Sequence, residues 1–275
     1  MQPIYEFGGA GQVIYTALAN GFPPQTYAPL VKPFTDQYRV ISLLPRALWP
    51  GEKPPDVLHD WHVVADDISD ALVQHDLRDV IAIGHSMGGI ASILAAIAHP
   101  ERFRALILLD PTIFSASATG YMEQIQADGS IRDFPLVQGA LRRKRNWADA
   151  KEAYTYFKGK SLFAPWPDET VRLYAESGTK LTDGGGVELA FPPEWEAYYF
   201  STFYTKTWDE LPKLKLPLLV IRGGDSDTFQ AESAEELRAL VPQAAYAEIP
   251  GHGHMFPQSA PDATRQVIAD WLATL

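Results

Sequence analysis

The apolar run Val80 to Ile83 leads directly into Gly84-His85-Ser86-Met87-Gly88-Gly89, and a second apolar stretch, Ile90 to Ala98, follows at helical spacing. Few folds accommodate this order. A short apolar run bounded by turn residues suits a central strand covered on both faces, and the stretch behind it suits a helix packed on the sheet. Between the two the chain must reverse within a few residues. Glycine at 84 and 88 leaves room for that turn and for the close approach of strand and helix. Ser86, at the apex, then projects its hydroxyl above the sheet, where the first N–H groups of the helix point the same way. G-x-S-x-G in a strand–turn–helix setting marks a nucleophilic serine; the setting carries more of the weight than the five residues do.

The same alternation runs through much of the chain. Val13 to Ala19, Tyr38 to Leu44, Ala105 to Leu109, Leu216 to Ile221 and Ala245 to Ile249 read as strands. His62 to Leu77 carries Val64, Ile68, Ala71 and Leu72 at helical spacing, as do Val267, Ile268, Trp271 and Leu272 near the end. Strands alternating with helices predict an α/β fold, a mostly parallel central sheet with helices on both faces. From Ser115 to about Leu211 the alternation stops, and helix-like patterns are separated by Pro165, Pro167, Gly184 to Gly186 and Pro192-Pro193. The stretch is too long for a loop, so it reads as an inserted helical cap. The division is a core of residues 1–114 and 212–275 with a cap of 115–211. The cap holds 17 of the 32 aromatic residues. Either these form the core of a small helical layer, or part of them line an apolar pocket beneath a lid.

Charge and cysteine content narrow the function. Lys and Arg total 23 against 34 Asp and Glu, a net charge of −11, which argues against nucleic acid and anionic membrane as partners. With no cysteine there is no thiolate nucleophile, disulfide or Cys-ligated metal. Met1 to Gly11 lacks the basic start and apolar run of a secretion signal, and no stretch nears the ~18 apolar residues of a membrane helix, so a cytoplasmic location is expected. Gly8-Gly9-Ala10-Gly11 lacks the Lys-Ser/Thr of a phosphate loop and reads as a hairpin turn between two strands. Arg142-Arg143-Lys144-Arg145 reads as a solvated cap face, with an acidic substrate or partner as the alternative.

A serine nucleophile needs a histidine base, itself oriented by a carboxylate. Of the seven His, His59, His62 and His75 lie near a helix well before the turn, His85 sits inside it, and His99 ends the following helix. Gly251-His252-Gly253-His254-Met255 follows the last strand, where ligand chemistry collects in such sheets. H-x-H could be half a metal site, but no third His or carboxylate stands at helical spacing from it. For the acid, Asp225 and Asp227 follow the strand Leu216 to Ile221, and Asp110 ends the strand Ala105 to Leu109. The order Ser86, Asp227, His254 is that of one fold class, distinct from those of chymotrypsin and subtilisin.

On these residues the chain resembles the α/β-hydrolase superfamily over nearly its whole length, with 115–211 in the place of the family's helical cap. Gly84 to Gly89 resembles the nucleophile elbow, Pro217 to Asp227 the acid loop, and Pro250 to Pro257 the histidine loop, which implies Ser86, His254 and Asp227 as a triad. The family's G-x-x-D spacing, counted from Gly224, favours Asp227 over Asp225. Asp110 is the substitute, since some members carry their acid after the earlier strand. Asn20-Gly21-Phe22-Pro23 resembles the oxyanion loop H-G-x-P, with Asn20 in the place of His. The resemblance implies backbone N–H groups of Phe22 and Met87 as oxyanion donors, with Asn20 as the alternative to Phe22. The glycine-rich run common after the strand Tyr38 to Leu44 is replaced by Leu44 to Gly51, which puts Trp49 at the substrate mouth or in surface packing. Asn20, Trp49 and His85 are the residues expected to border substrate, although the His85 ring should point away from the Ser86 hydroxyl.

The resemblance implies hydrolysis of carboxylic esters of small to medium apolar substrates through an acyl-enzyme. No cofactor and no metal are expected, and the partner is a small-molecule ester, with monomer and homodimer both open. The alternatives are a C–C bond hydrolase, a lactonase, a cofactor-free haloperoxidase or perhydrolase, and a slow-turnover ligand receptor. Serine at the elbow excludes the aspartate-based haloalkane dehalogenases and epoxide hydrolases.

Overall fold

A computed structural model describes residues 1–275. Seven strands form one sheet: β1 (Ile4–Gly8), β2 (Val13–Ala17), β3 (Arg39–Leu43), β4 (Val80–His85), β5 (Phe103–Leu109), and, after a long insertion, β9 (Leu218–Gly223) and β10 (Ala245–Ile249). Their spatial order is β1-β3-β2-β4-β5-β9-β10. All neighbours are parallel except β1, which runs antiparallel to β3 at one edge. β2 has β3 on one side and β4 on the other, so connections leave in opposite directions there. Such a reversal opens a crevice at the carboxyl ends of the strands, where ligands bind in open α/β sheets.

The alternation of side chains assigns the two faces. In β4, Val80 and Ala82 join the core on one side of the sheet and Ile81 and Ile83 the core on the other. Leu106 and Leu108 against Ile107 and Leu109 do the same in β5, as do Leu218 and Val220 against Leu219 and Ile221 in β9. The helices Met87–Ala98 and His62–Gln74 cover the first face with Ile90, Ile93, Leu94, Val64, Ile68 and Leu72. Pro261–Leu272 and Ala28–Val31 cover the second with Ile268, Leu30 and Val31. No helix is long and apolar enough to cross a membrane.

Gly8 to Gly11 is not a hairpin. β3 lies between β1 and β2, so this segment carries the chain past the end of β3. Gly9, at φ +80°, passes so near the segment that leads into β3 that a Cβ would lie 1.9 Å from the Tyr38 carbonyl oxygen. The sequence signal of two strands flanking glycines was sound, and the pairing was not local.

Between β5 and β9 the insertion is mainly helical, with Ala116–Ala127, Pro135–Leu141, Ala150–Lys158, Asp168–Ser177, Pro193–Ser201 and Thr207–Glu210. It also holds a small antiparallel sheet that no apolar run announced: β6 (Asn146–Trp147), β7 (Thr179–Leu181) and β8 (Val187–Leu189), in the order β6-β8-β7. Most of its aromatics are buried against one another. Tyr174 lies 4.9 Å from Phe157 and 4.8 Å from Phe163 between ring centroids, and Trp195 stacks on Tyr199 at 5.4 Å. These rings are the insertion's own core and its seam with the sheet layer, where Trp61 meets Phe203 at 5.3 Å.

The elbow depends on close backbone packing. A Cβ at Gly88 would lie 2.3 Å from the Ala17 carbonyl oxygen, and one at Gly84 2.6 Å from the Gly89 Cα. Gly120, exposed in the helix Ala116–Ala127, has nothing within 4 Å of the same position. Urea titration should therefore show Gly88→Ala losing about 3 kcal/mol or more by overpacking. Gly120→Ala should be neutral or stabilising by up to about 1 kcal/mol. Equal stability of the two variants would contradict the packing described.

Candidate active site

Ser86 occupies the strained turn its surroundings require, with φ 56° and ψ −121°. Its N–H donates to the Leu109 carbonyl at 3.1 Å, tying the turn to the end of β5, and its carbonyl accepts the N–H of Gly89 at 3.0 Å. Met87 is the first residue of the helix behind, so its N–H has no carbonyl within the helix to bond.

His254, in the loop after β10, reaches Ser86 Oγ with Nε2 at 2.9 Å and Asp110 Oδ2 with Nδ1 at 2.7 Å. A carboxylate accepts only, so Nδ1 carries the ring proton and Nε2 accepts from the Ser86 hydroxyl. Thr112 Oγ1 lies 3.1 Å from Ser86 Oγ. Since the serine proton is directed at His254, the Thr112 hydroxyl is the donor to the serine oxygen.

The carboxylate facing His254 is Asp110, which corrects the expectation of Asp227. Asp227 is exposed, and its contact is to the neighbouring Thr228 hydroxyl at 3.3 Å; Asp225 is exposed as well. The cause is the sheet order. β5 lies directly between β4 and β9, so the residue that ends β5 emerges beside the elbow. Asp110 is wholly buried with φ 42°, and its N–H bonds the Ile221 carbonyl at 2.8 Å. Oδ1 accepts the Gly223 N–H at 2.8 Å, and Oδ2 accepts the Ser226 hydroxyl beside its bond to His254. The loop after β9 thus contributes Ser226, whose oxygen is itself fixed by the N–H groups of Thr228 at 3.2 Å and Phe229 at 3.1 Å. The other loop histidine, His252, bonds Ser259 Oγ at 2.8 Å and does not face Ser86.

His85 does not border substrate. It is fully buried, with Nδ1 2.7 Å from the Tyr27 hydroxyl and Nε2 3.0 Å from the carbonyl oxygen of His254. A carbonyl can only accept, so Nε2 carries the proton and Tyr27 donates to Nδ1. The Tyr27 oxygen in turn accepts the Ala19 N–H at 3.0 Å. Burial, and secondarily the nearby His254, hold His85 well below its ordinary pKa, so it is neutral, while burial pushes the Tyr27 phenol up. This buried line joins the loop after β2, the elbow and the backbone of the histidine loop. Its only sequence sign was a His beside the serine.

The loop Asn20 to Phe22 lies under the insertion. Asn20 is buried, with Nδ2 donating to the Glu196 carbonyl at 2.9 Å and Oδ1 without a protein partner, so it meets the cap backbone. The Phe22 N–H bonds the Ala19 carbonyl at a long 3.3 Å, and its ring packs beside Trp166 and Tyr174. Trp49 serves its own loop: Nε1 donates to the Leu44 carbonyl at 2.8 Å and Arg46 lies over its ring. Thr112, Ser226 and Tyr27 gave no signal in the sequence, because isolated hydroxyls acquire meaning only from the strands that bring them together.

Comparison with known proteins identifies the family and the fold. Residues 17–267 match the Alpha/beta hydrolase family. The 2-(acetamidomethylene)succinate hydrolase of Mesorhizobium japonicum is 24% identical over 249 residues, which cover 90% of this chain and 82% of that protein. Esterase YbfF of Escherichia coli is 24% identical over 226 residues, covering 81% and 78%. The crystal structure of E-2-(acetamidomethylene)succinate hydrolase superposes with a TM-score of 0.79 at 20% identity, covering 98% of this chain and 94% of that one, a likeness of fold.

The neutrality of His85 has a sign in solution. Unfolded, the imidazole takes a proton near pH 6.5; folded, it resists protonation until well below that. Its stabilising contribution is complete above pH 6.5 and is lost as pH falls towards the folded value, by up to about 1.4 kcal/mol per pH unit. Urea titrations at about pH 7.5 and about pH 5.5 should show the wild type losing more stability than His85→Gln. Equal losses would show that His85 is not the group responsible.

Proposed function

Because the chain belongs to the alpha/beta hydrolase family, we propose that it hydrolyses carboxylic esters of small to medium apolar substrates through an acyl-enzyme on Ser86. The observation that carries this reading is the continuous line of contacts from Asp110 through His254 to Ser86 at the mouth of the sheet. In the proposed reaction Ser86 Oγ attacks the ester carbonyl as its proton passes to His254 Nε2. Asp110 keeps His254 in the tautomer that can accept it and stabilises the imidazolium formed. The carbonyl oxygen becomes an oxyanion beside the helix N-terminus, where the Met87 N–H is the first donor. The Phe22 N–H is the second, exchanging its long bond to Ala19 for the oxyanion. The tetrahedral intermediate expels the alcohol, which takes the proton from His254. Water then attacks the acyl-enzyme with His254 again as base, and Ser86 leaves with its proton restored. In this reading segment 115–211 caps a core of 1–114 and 212–275.

A second reading is hydrolysis of an amide bond by the same steps. It is favoured by the likeness to a hydrolase named for 2-(acetamidomethylene)succinate, whereas the likeness to an esterase favours the first. A panel of p-nitrophenyl esters from acetyl to octanoyl, with matched anilides, separates the two. The wild type should release nitrophenol in a burst, be labelled at Ser86 by a fluorophosphonate, and lose turnover by a factor of about 10³ or more in Ser86→Ala. Faster turnover of anilides than of esters would select the amide reading. Full activity in Ser86→Ala would remove both.

The Thr112 hydroxyl donates to an oxygen that carries negative charge as Ser86 attacks and again as it leaves. One such hydrogen bond is worth about 0.5–1.5 kcal/mol, so Thr112→Val should lower kcat by roughly 2- to 10-fold while Thr112→Ser retains it. An unchanged kcat in Thr112→Val would show that the contact has no part in turnover.

A further inference from the structure

Each residue of the Asn20–Phe22 loop is held from the insertion. Asn20 bonds the backbone of the helix Pro193–Ser201 at Glu196. The Glu196 carboxylate lies against Gly21, where a Cβ would come 3.2 Å from Glu196 Cδ. Tyr174, on the helix Asp168–Ser177, directs its hydroxyl at the Gly21 carbonyl at 3.5 Å, and its ring centroid lies 5.5 Å from that of Phe22. Arg143 ties these two helices together. Nη1 bonds Glu196 Oε2, and Nη2 donates to the Tyr174 hydroxyl at 2.7 Å.

Arg143 differs from the rest of its basic run. Arg142, Lys144 and Arg145 are exposed, with Lys144 paired to Glu152 and Arg145 to Glu194. The Arg143 and Glu196 side chains are only 21% and 13% exposed. The solvated-face reading therefore fails at this position. A planar guanidinium bonds a carboxylate and a phenol at fixed angles at once, whereas an ammonium on a flexible stem holds the two less rigidly. The charge also matters, since an unpaired Glu196 carboxylate beside Gly21 would oppose a developing oxyanion.

We propose that Arg143, Glu196 and Tyr174 form a clamp through which the insertion fixes the Asn20–Phe22 loop, making Arg143 a positioning residue for the Phe22 oxyanion donor. The inference rests on the reading of Ser86 as an acyl-transfer nucleophile. The loop turns at Gly21, whose φ is +86°, and the Phe22 N–H currently bonds back to Ala19. Held by the clamp, the loop keeps its place while that one amide turns towards the oxyanion. Released, the loop itself moves, and the transition state loses a donor that ground-state binding does not use.

The test compares Arg143→Met, Arg143→Lys, Tyr174→Phe and the exposed control Arg142→Met on an activated ester. A second measurement is affinity for phenylboronic acid, whose boron adds Ser86 Oγ to give a tetrahedral adduct. Loss of a whole oxyanion donor costs about 10²–10³ in turnover, so partial misplacement in Arg143→Met should lower kcat by roughly 10- to 100-fold with KM little changed. Boronate affinity should fall in parallel. Arg143→Lys should recover part of the loss, Tyr174→Phe should lose less than Arg143→Met, and Arg142→Met should match the wild type. Tyr174→Phe keeps the packed ring, so it decides the matter if Arg143→Met does not fold. Unchanged kcat and boronate affinity in folded variants, or a rise in KM alone, would overturn the clamp while fluorophosphonate labelling of Ser86 upheld the hydrolase reading. A wild type that is neither active nor labelled would overturn both.

Discussion

The arrangement turns on the buried carboxylate of Asp110. It stands at the end of β5 with no exposure to solvent and accepts from the Gly223 N–H, the Ser226 hydroxyl and His254 Nδ1. A carboxylate in such a place is tolerable only when its lone pairs are satisfied, and here three donors from two separate segments satisfy them. The same bonds dock the loops after β9 and β10 on the end of β5. The orientation of His254, and through it the direction of the Ser86 proton, follows from that docking.

A second buried line supports the histidine from its backbone side. Ala19, Tyr27, His85 and the His254 carbonyl are joined in sequence, so the loop after β2 and the loop after β10 share one anchor beneath the elbow. Asp110 fixes the ring of His254 and His85 fixes its main chain. The two act at different atoms and come from adjacent strands, β5 and β4, which places the base over the serine from two directions. The insertion meets the same region from above, with its aromatic core against Phe22 and its polar groups against Asn20 and Gly21.

Much of this was legible in the residues. The central strands announce themselves as apolar runs because both faces are covered, and the elbow because its glycines are demanded by backbone contact. His254 could be found by its place after the last strand. The acid could not. Asp225, Asp227 and Asp110 all follow strands, and linear spacing does not say which strand lies next to the elbow. That is a fact of sheet order, with β5 between β4 and β9. The antiparallel edge strand β1, with its half-buried residues, carries only a weak pattern, and its pairing with β3 rather than β2 is again non-local. Arg143 and the cap aromatics show the same limit. Composition read the one as solvated and left the others between core and pocket lining, and only packing distinguishes an inward arginine or a ring buried against rings.

The central claim is that Asp110, and not the carboxylate nine residues past the start of β9, orients His254. Its most direct measurement is the turnover of Asp110→Asn beside Asp227→Asn on one activated ester, both checked for folding by thermal denaturation. Replacing the orienting carboxylate by an amide in a Ser-His-Asp triad leaves the geometry but fixes the wrong tautomer, at a cost of about 10⁴ in kcat. Asp110→Asn should show a loss of that order and Asp227→Asn should stay near the wild type. The reverse, a large loss in folded Asp227→Asn with Asp110→Asn fully active, would contradict the account.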